Sequence, residues 1–478
     1  MVSLAKRTVN SAFWQVFSGS FQTVVRLGAS IFLARALEPR DFGLFGMAWL
    51  FKEFIFYLSN LGIGSAIIAK KNIDQVDLST CFWSMAVFRL FMFFLTFSLS
   101  PVVALFFKEP ALVPIVKAIS FTFLFSIFSC VSNSLLVKEL RFKTLSIVRL
   151  SGVVIESFLA VIFSVFLSIG YWSLVYALLI SSLFVEISIF YLASWRPSFL
   201  FDFSRFKYFL KYGLNALGFS FSNYLQENFD YILVGRLLGA SNLGFYEFAY
   251  RIPHLVFLRI SRPISAVIFP ALAKCQSDTD MLRGFLKSVQ YLSLLVVPIL
   301  SALAVSAPHL VPLLWGEKWN VIVYPLQILC ISSAVKSIFS SSYSLFYCKN
   351  RPDIPFRFSL FQVIISLVFI VIGAKISGLV GVSWAMVFSS FLLFLLVIYS
   401  SYFLGFSLFS LFSSMLPSVF LGLFFSVSYV FLYFICSLFS LPLIFSFLFS
   451  LISSFVILFL LFWFGFSSLR LEILSLVR

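Results

Sequence analysis

The sequence predicts an all-α polytopic membrane protein. About 14 transmembrane helices are expected, as two pseudo-symmetric six-helix lobes around a central cavity with two further helices at the C-terminus. Three observations predict it. The 478 residues are 61% hydrophobic and 11% charged, with a mean hydropathy of +1.07, a balance that a water-soluble domain would carry only by exposing large apolar area. Apolar stretches of roughly 20 residues, the length a helix needs to cross the hydrocarbon core, follow one another almost end to end. Finally, a polar break repeats: "RALEPRDFGLFGMAWL" from Arg35 is echoed by "RLLGASNLGFYEFAYR" from Arg236, with Arg35/Arg236, Gly43/Gly244 and Ala48/Ala249 all 201 residues apart.

The apolar runs do not alternate, which suits helices rather than the strands of a closed barrel. They place spans at 10–34, 42–67, 80–107, 112–137, 147–168, 172–193, 208–235, 245–272, 285–306, 323–347, 357–374, 379–404, 414–437 and 441–466. The first follows a basic start (Lys6, Arg7) but carries Asn10, Gln15, Gln22 and Arg26 and lacks a small-residue cleavage site, so it reads as an uncleaved span. With both termini and every second loop cytoplasmic, 19 of the 34 lysines and arginines fall on the cytoplasmic side, counting Lys211, Lys287 and Arg357 at the cytoplasmic ends of their spans, 6 on the other and 9 deeper within spans. The net charge of +16 therefore reports cytoplasmic loops, and nucleic acid is not an expected partner. The six cysteines stand singly without metal-type spacing, so neither a disulfide frame nor a metal site is expected.

The offset of 201 carries spans one to three onto seven to nine. "LLVKELRF" from Leu135 is matched by "LFYCKNRP" from Leu345, the offset having grown to about 210 through extra residues around "LLWGEKW" from Leu313. Six spans repeated by six give a parallel repeat about an axis along the membrane normal. The expected domains are 1–194, 195–404 and 405–478, the last holding two added helices and a cytoplasmic tail. The polar breaks are too short for a soluble catalytic domain, so no enzyme activity is expected.

A charge at the bilayer centre costs about 3 kcal/mol, so intramembrane charges mark a wet cavity or a partner. Nine basic residues (Arg26, Lys52, Arg89, Lys117, Arg149, Arg251, Arg259, Arg262, Lys336) face six acids (Glu53, Glu156, Glu186, Glu227, Asp230, Glu247) within the spans. Gln15, Ser18, Gly19, Gln22 and Arg26 form one stripe on span one. At 100° per residue Glu247, Arg251, His254, Arg262 and Ser265 form another on span eight, with Arg259 about 80° away. Arginine keeps its charge and grips phosphate oxygens in pairs, so a phosphate-bearing substrate is expected. The candidate substrate-binding residues are Arg26, Arg251, Arg259, Arg262, Arg89, Arg149, Lys52 and Lys336; Glu227, Asp230, Glu53 and Glu156 are candidates for ion coupling. The competing reading is that these charges pair to hold helices together. His254 reads as a helix contact, and His309, between Pro308 and Pro312, as a loop residue.

The order "NYLQENFDYILVGRLLGASNLGFYEFAYRIPHLV", "FPALAKCQSD" and "LVPLLWGEKW", with the weaker copy "ARALEPRDFGLFGMAW", resembles bacterial polysaccharide flippases of the multidrug/oligosaccharidyl-lipid/polysaccharide exporter superfamily, over residues 8 to 400. The resemblance implies a twelve-helix core of two lobes with two further helices. It implies alternating access that carries undecaprenyl-diphosphate-linked oligosaccharide from the cytoplasmic to the outer leaflet of the bacterial inner membrane, for lipopolysaccharide O-antigen or exopolysaccharide. Cationic residues would line the cavity, a role best suited here to Arg26, Arg251 and Arg262. No phosphate-binding loop for ATP is present, so a proton or sodium gradient is the expected drive and no organic cofactor is expected. A monomer is expected, working beside polysaccharide polymerase and chain-length machinery. The alternatives are a flippase for the peptidoglycan lipid precursor, whose substrate carries the same diphosphate, and a multidrug cation antiporter of the same fold, which would favour an acidic interior.

Overall fold

The computed structural model describes residues 4–59, 62–275, 277–405, 407–439 and 441–465, and these contain helices and no strands. By contacts the chain falls into two units, Met1–Gly244 and Phe245–Arg478. The first holds α1 (Leu4–Ala36), α2 (Pro39–Ser59), α3 (Ile63–Ala69), α4 (Gln75–Phe107), α5 (Leu112–Ser129), α6 (Ser132–Lys138), α7 (Phe142–Val165), α8 (Trp172–Leu192) and most of α9 (Phe203–Val256). Within it α1 packs on α7, α7 on α8, α8 on α5 and α5 on α4. The second unit continues from α9 through a π-helical turn (Phe257–Ser261) into α10 (Arg262–Ala273) and α11 (Asp278–Trp315). A 3-10 turn (Glu317–Ile322), α12 (Val323–Phe339), α13 (Ser342–Cys348), α14 (Asp353–Leu404), α15 (Leu408–Leu438) and α16 (Leu443–Gly465) follow. There α12 packs on α11 and α14, α15 lies along α11, and α16 covers α15.

Among the described residues, eleven helices are long and apolar enough to cross a membrane, or up to twelve when α2 and α3, bent by 48°, count as one broken span. Two candidate spans, Tyr224–Ala273 and Asp353–Tyr402, run 50 residues, about 75 Å if straight and more than twice the hydrocarbon thickness. Each is interrupted, at Gly239 (φ 83°) and at Ser377–Gly378. Around the second break the chain turns back tightly: a Cβ on Gly373 would stand 2.7 Å from the carbonyl carbon of Gly381, and one on Gly381 2.6 Å from that of Gly373. The fourteen crossings expected from hydropathy are reached only by dividing both helices at these breaks and joining α2 with α3.

The internal repeat is present in the backbone. α6 and α13 are both seven residues long and both end on the same turn. Glu139, Leu140 and Arg141 donate their amides to Leu135, Val137 and Leu136 at 2.9, 3.0 and 2.9 Å; 210 residues later Lys349, Asn350 and Arg351 donate to Leu345, Tyr347 and Phe346 at 3.1, 3.1 and 2.9 Å. Leu140 and Asn350 adopt φ 57° and 55°, a left-handed conformation that costs any residue but glycine. The same cost at the same place argues for a shared backbone design rather than shared hydropathy.

Gly43 and Gly244 sit where two backbones approach closely. A Cβ on Gly43 would stand 2.5 Å from the carbonyl carbon of Ala240, and one on Gly244 would stand 2.9 Å from the carbonyl carbon of Pro39 and 3.3 Å from the Gly43 amide. Pro39 and Ala240 are themselves 201 apart, so the contact is reciprocal, as at a two-fold interface. Only glycine lets the two copies of the repeated segment touch backbone to backbone.

Further corrections concern helix ends. The expected loop 307–322 is helical as far as Trp315, with Pro308 and Pro312 inside α11, as intramembrane helices tolerate. His309 is consequently a helix residue: its ring lies 3.9 Å from that of Tyr433, and its Nδ1 is 3.2 Å from the Tyr429 hydroxyl, tying α11 to α15. The side chains of Lys6, Arg7 and Asn223, and the tail with Arg470 and Arg478, lie outside the described residues.

Candidate functional site

In the first unit α1 and α7 lie side by side and bring Arg26 to Glu156, with Nη2 3.4 Å from Oε2 and the Arg26 side chain 59% exposed. Arg149, one face with Glu156 by sequence, instead donates from Nη2 to Asn133 Oδ1 at 3.0 Å, because α6 ends against the start of α7. A guanidinium exposed at membrane depth faces water or an anion, since hydrocarbon would not accept it. Deeper in the same unit, Arg89 is buried on α4 and donates to the Ser126 carbonyl. Lys52 pairs with its neighbour Glu53 at 2.8 Å and lies 4.3 Å from the centre of the Trp49 ring.

Glu186 is an intramembrane acid by sequence, with no role that its spacing suggests. It receives the Ser129 hydroxyl and stands in the field of Arg89, Lys52 and Arg149. A carboxylate from α8 thus lies near cations from α2, α4 and α7 that have partners of their own, a convergence of helices that no local spacing reveals. Of the coupling candidates, Glu53 and Glu227 both act on the Tyr57 hydroxyl, whose ring lies 5.1 Å from that of Tyr224. Tyr224 in turn donates to the Leu50 carbonyl at 2.5 Å. Asp230, three residues on from Glu227, is buried while Glu227 is exposed.

In the second unit the basic stripe is not one continuous helical face. The π-helical turn at Phe257–Ser261 inserts a residue, which turns everything beyond it by about 100° relative to a straight helix. Before the turn Arg251 pairs with Glu247 at 2.5 Å and lies 4.7 Å from the Phe248 ring. Arg259 is exposed within the turn itself. Beyond it Arg262 and, from α12, Lys336 share the Phe257 ring, at 5.7 and 4.9 Å. The His254 ring lies between those of Tyr250 and Phe257, tilted to both at 4.9 and 6.0 Å, and feels the charges of Lys336 and Arg262. The structure therefore gathers Arg262, Lys336 and His254 around Phe257, and sets Arg251 with its own carboxylate a helical turn away.

Outside the spans the strongest charge cluster ties the start of α9 to the start of α4. Asp74 caps α4 in a reciprocal box with Asp77; Arg205 donates to Asp74 and, at 3.1 Å, to Asp77, while Lys70 pairs with Asp77 at 2.5 Å. The Arg205 guanidinium, helped by the Asp77 amide, holds the Asp74 carboxyl below the usual carboxylate range. These residues line an open cavity of about 460 Å³ with Lys71, Asn72 and Ile73.

A profile described as polysaccharide biosynthesis protein matches residues 32–324. The chain belongs to that family. Over 393 residues it is 29% identical to the lipopolysaccharide biosynthesis protein WzxC of Escherichia coli K12, covering 80% of this chain and 78% of that one. It is 27% identical to the teichuronic acid biosynthesis protein TuaB of Bacillus subtilis 168 over 398 residues, covering 83% and 82%. Its fold is that of a solved structure of the lipid II flippase MurJ in an inward closed conformation, with a TM-score of 0.74, 14% identity, and 98% of this chain and 100% of that one covered.

Proposed function

We propose that this chain is a flippase for undecaprenyl-diphosphate-linked oligosaccharide, moving the unit from the cytoplasmic to the outer leaflet of a bacterial inner membrane for surface polysaccharide synthesis. The observation that carries the reading is Arg26, a guanidinium 59% exposed at the end of the polar stripe of α1, whose carboxylate partner Glu156 sits at the long distance of 3.4 Å. A diphosphate would bind it more strongly than one carboxylate does, since both of its phosphates offer paired oxygens. In the second repeat Arg251, Arg259 and Arg262, with Lys336 on α12, are further candidates for phosphate binding. Arg89, Lys52 and Arg149 would supply positive field rather than direct contact.

In this reading the lobes alternate access without any bond being made or broken, so the protein is a transporter and no enzyme. Glu227 and Glu53 at Tyr57, with Asp230 and Glu156, would take up the driving proton or sodium ion. Both termini would be cytoplasmic, and a monomer would suffice, handing product to a polymerase and its chain-length machinery. The test is loss and restoration. Cells lacking the chain should accumulate diphosphate-linked oligosaccharide on the cytoplasmic side and lose surface polysaccharide, and a plasmid copy should restore both. Restoration of lipid II flipping instead of surface polysaccharide would assign the peptidoglycan precursor.

A further inference from the structure

The segment between the candidate spans Trp172–Leu192 and Tyr224–Ala273 has a surface that water alone does not explain. Phe199, Phe201 and Phe203 are 93%, 54% and 60% exposed, close together in the chain. They are held there firmly. Trp83 donates to the Ser198 carbonyl at 2.9 Å and stacks on Phe199, the Asp202 amide donates to Thr80 at 3.0 Å, and Arg205 is fixed by Asp74 and Asp77. The first turns of α9 then expose Lys207 and Lys211, four residues apart and hence stacked along one side, next to Tyr208 and Tyr212 with the same spacing. Three rigidly presented phenylalanines would be a sticky patch in water. Two lysines with Asp202 would be costly within hydrocarbon. Only the interface between headgroups and acyl chains accepts both.

We propose that residues 199–212 dock on the cytoplasmic leaflet, the phenylalanines lying at the acyl boundary and Lys207 and Lys211 binding anionic phospholipid headgroups. The side follows from the lysine and arginine bias of the loops, which puts this segment in the cytoplasm. The charge selects the lipid: two lysines on one helix side complement phosphatidylglycerol or cardiolipin rather than a zwitterionic headgroup. Because this segment connects the first repeat to the second and is strapped to α4, the bound leaflet would hold that connection in place. The proposal does not depend on the identity of the transported lipid.

The test uses the full-length chain in native membranes with p-benzoyl-phenylalanine replacing Phe199 or Phe201. After irradiation, mass spectrometry of the labelled peptide should find phospholipid adducts enriched in anionic species relative to the bulk membrane. Lys207→Gln and Lys211→Gln should each lower that enrichment roughly fivefold while adducts still form. Adducts to another protein, or none at all, would overturn the docking. Adducts whose anionic share is unchanged in the lysine variants would overturn the headgroup assignment.

Discussion

Replacing Gly43 with alanine tests the reciprocal contact between the two repeated segments. In an ordinary helix the change would stabilise by about 0.5–1 kcal/mol, because alanine loses less conformational freedom. Here the new Cβ would stand 2.5 Å from the Ala240 carbonyl carbon, against an ordinary separation of roughly 3.5 Å, so the backbones must part by about 1 Å or more. No side chain can swing aside, since the obstruction is backbone. Overpacking of this kind costs about 1–3 kcal/mol, and the upper end is expected. Gly244→Ala meets Pro39 in the mirror position and should cost a similar amount. The double variant is diagnostic, because one separation relieves both clashes: its loss should stay near that of the worse single variant rather than reach the sum, a coupling of about 3 kcal/mol. Denaturant unfolding of the purified variants in lipid nanodiscs reads these differences. A Gly43→Ala protein as stable as the parent, or two losses that simply add, would refute the close approach.

Other outcomes follow from the same kind of reasoning. Glu186→Ala removes the acceptor of the Ser129 hydroxyl and should destabilise by about 1 kcal/mol, measured by unfolding; Glu186→Gln, which keeps an acceptor oxygen, should recover part of the loss. Tyr429→Phe removes the hydroxyl partner of His309 and should cost about 1 kcal/mol, with faster proteolysis where α15 meets α11. Asp74 has its carboxyl depressed in the folded state by Arg205, so the stability it contributes is present above the unfolded carboxylate value of about 4 and is lost as pH falls through the folded value. Melting temperature followed from pH 6 to pH 2 should therefore drop less steeply in Arg205→Gln than in the parent, and parallel curves would remove the linkage.

The architecture was legible because lipid enforces it: helical spans must be long and apolar, and the shared 201-residue offset survives in Arg35/Arg236 and Gly43/Gly244. What stayed hidden depends on partners distant in sequence. Arg149 and Glu156 share a helix face, yet Glu156 goes to Arg26, 130 residues away, because α1 lies along α7. Periodicity at 100° per residue assumes an unbroken α-helix, so the π-helical turn before Arg262 and the interruptions at Gly239 and Gly378 were invisible to it. Prolines marked a loop around His309 by a rule learned in water, where a broken helix is cheaper than in lipid. Glu186 is legible as an acid, but its partner Ser129 is not, since it comes from α5.

The proposed role of Arg26, Arg251 and Arg262 is the binding of a diphosphate. Its most direct test is to replace Arg26, Arg251 and Arg262 singly by Gln and by Lys, confirm equal amounts in the membrane, and measure surface polysaccharide together with accumulated lipid-linked precursor. The Gln variants should lose export and accumulate precursor, with the Lys variants retaining part of the activity because the charge remains while the paired grip is lost. Normal export by all three Gln variants would contradict the account.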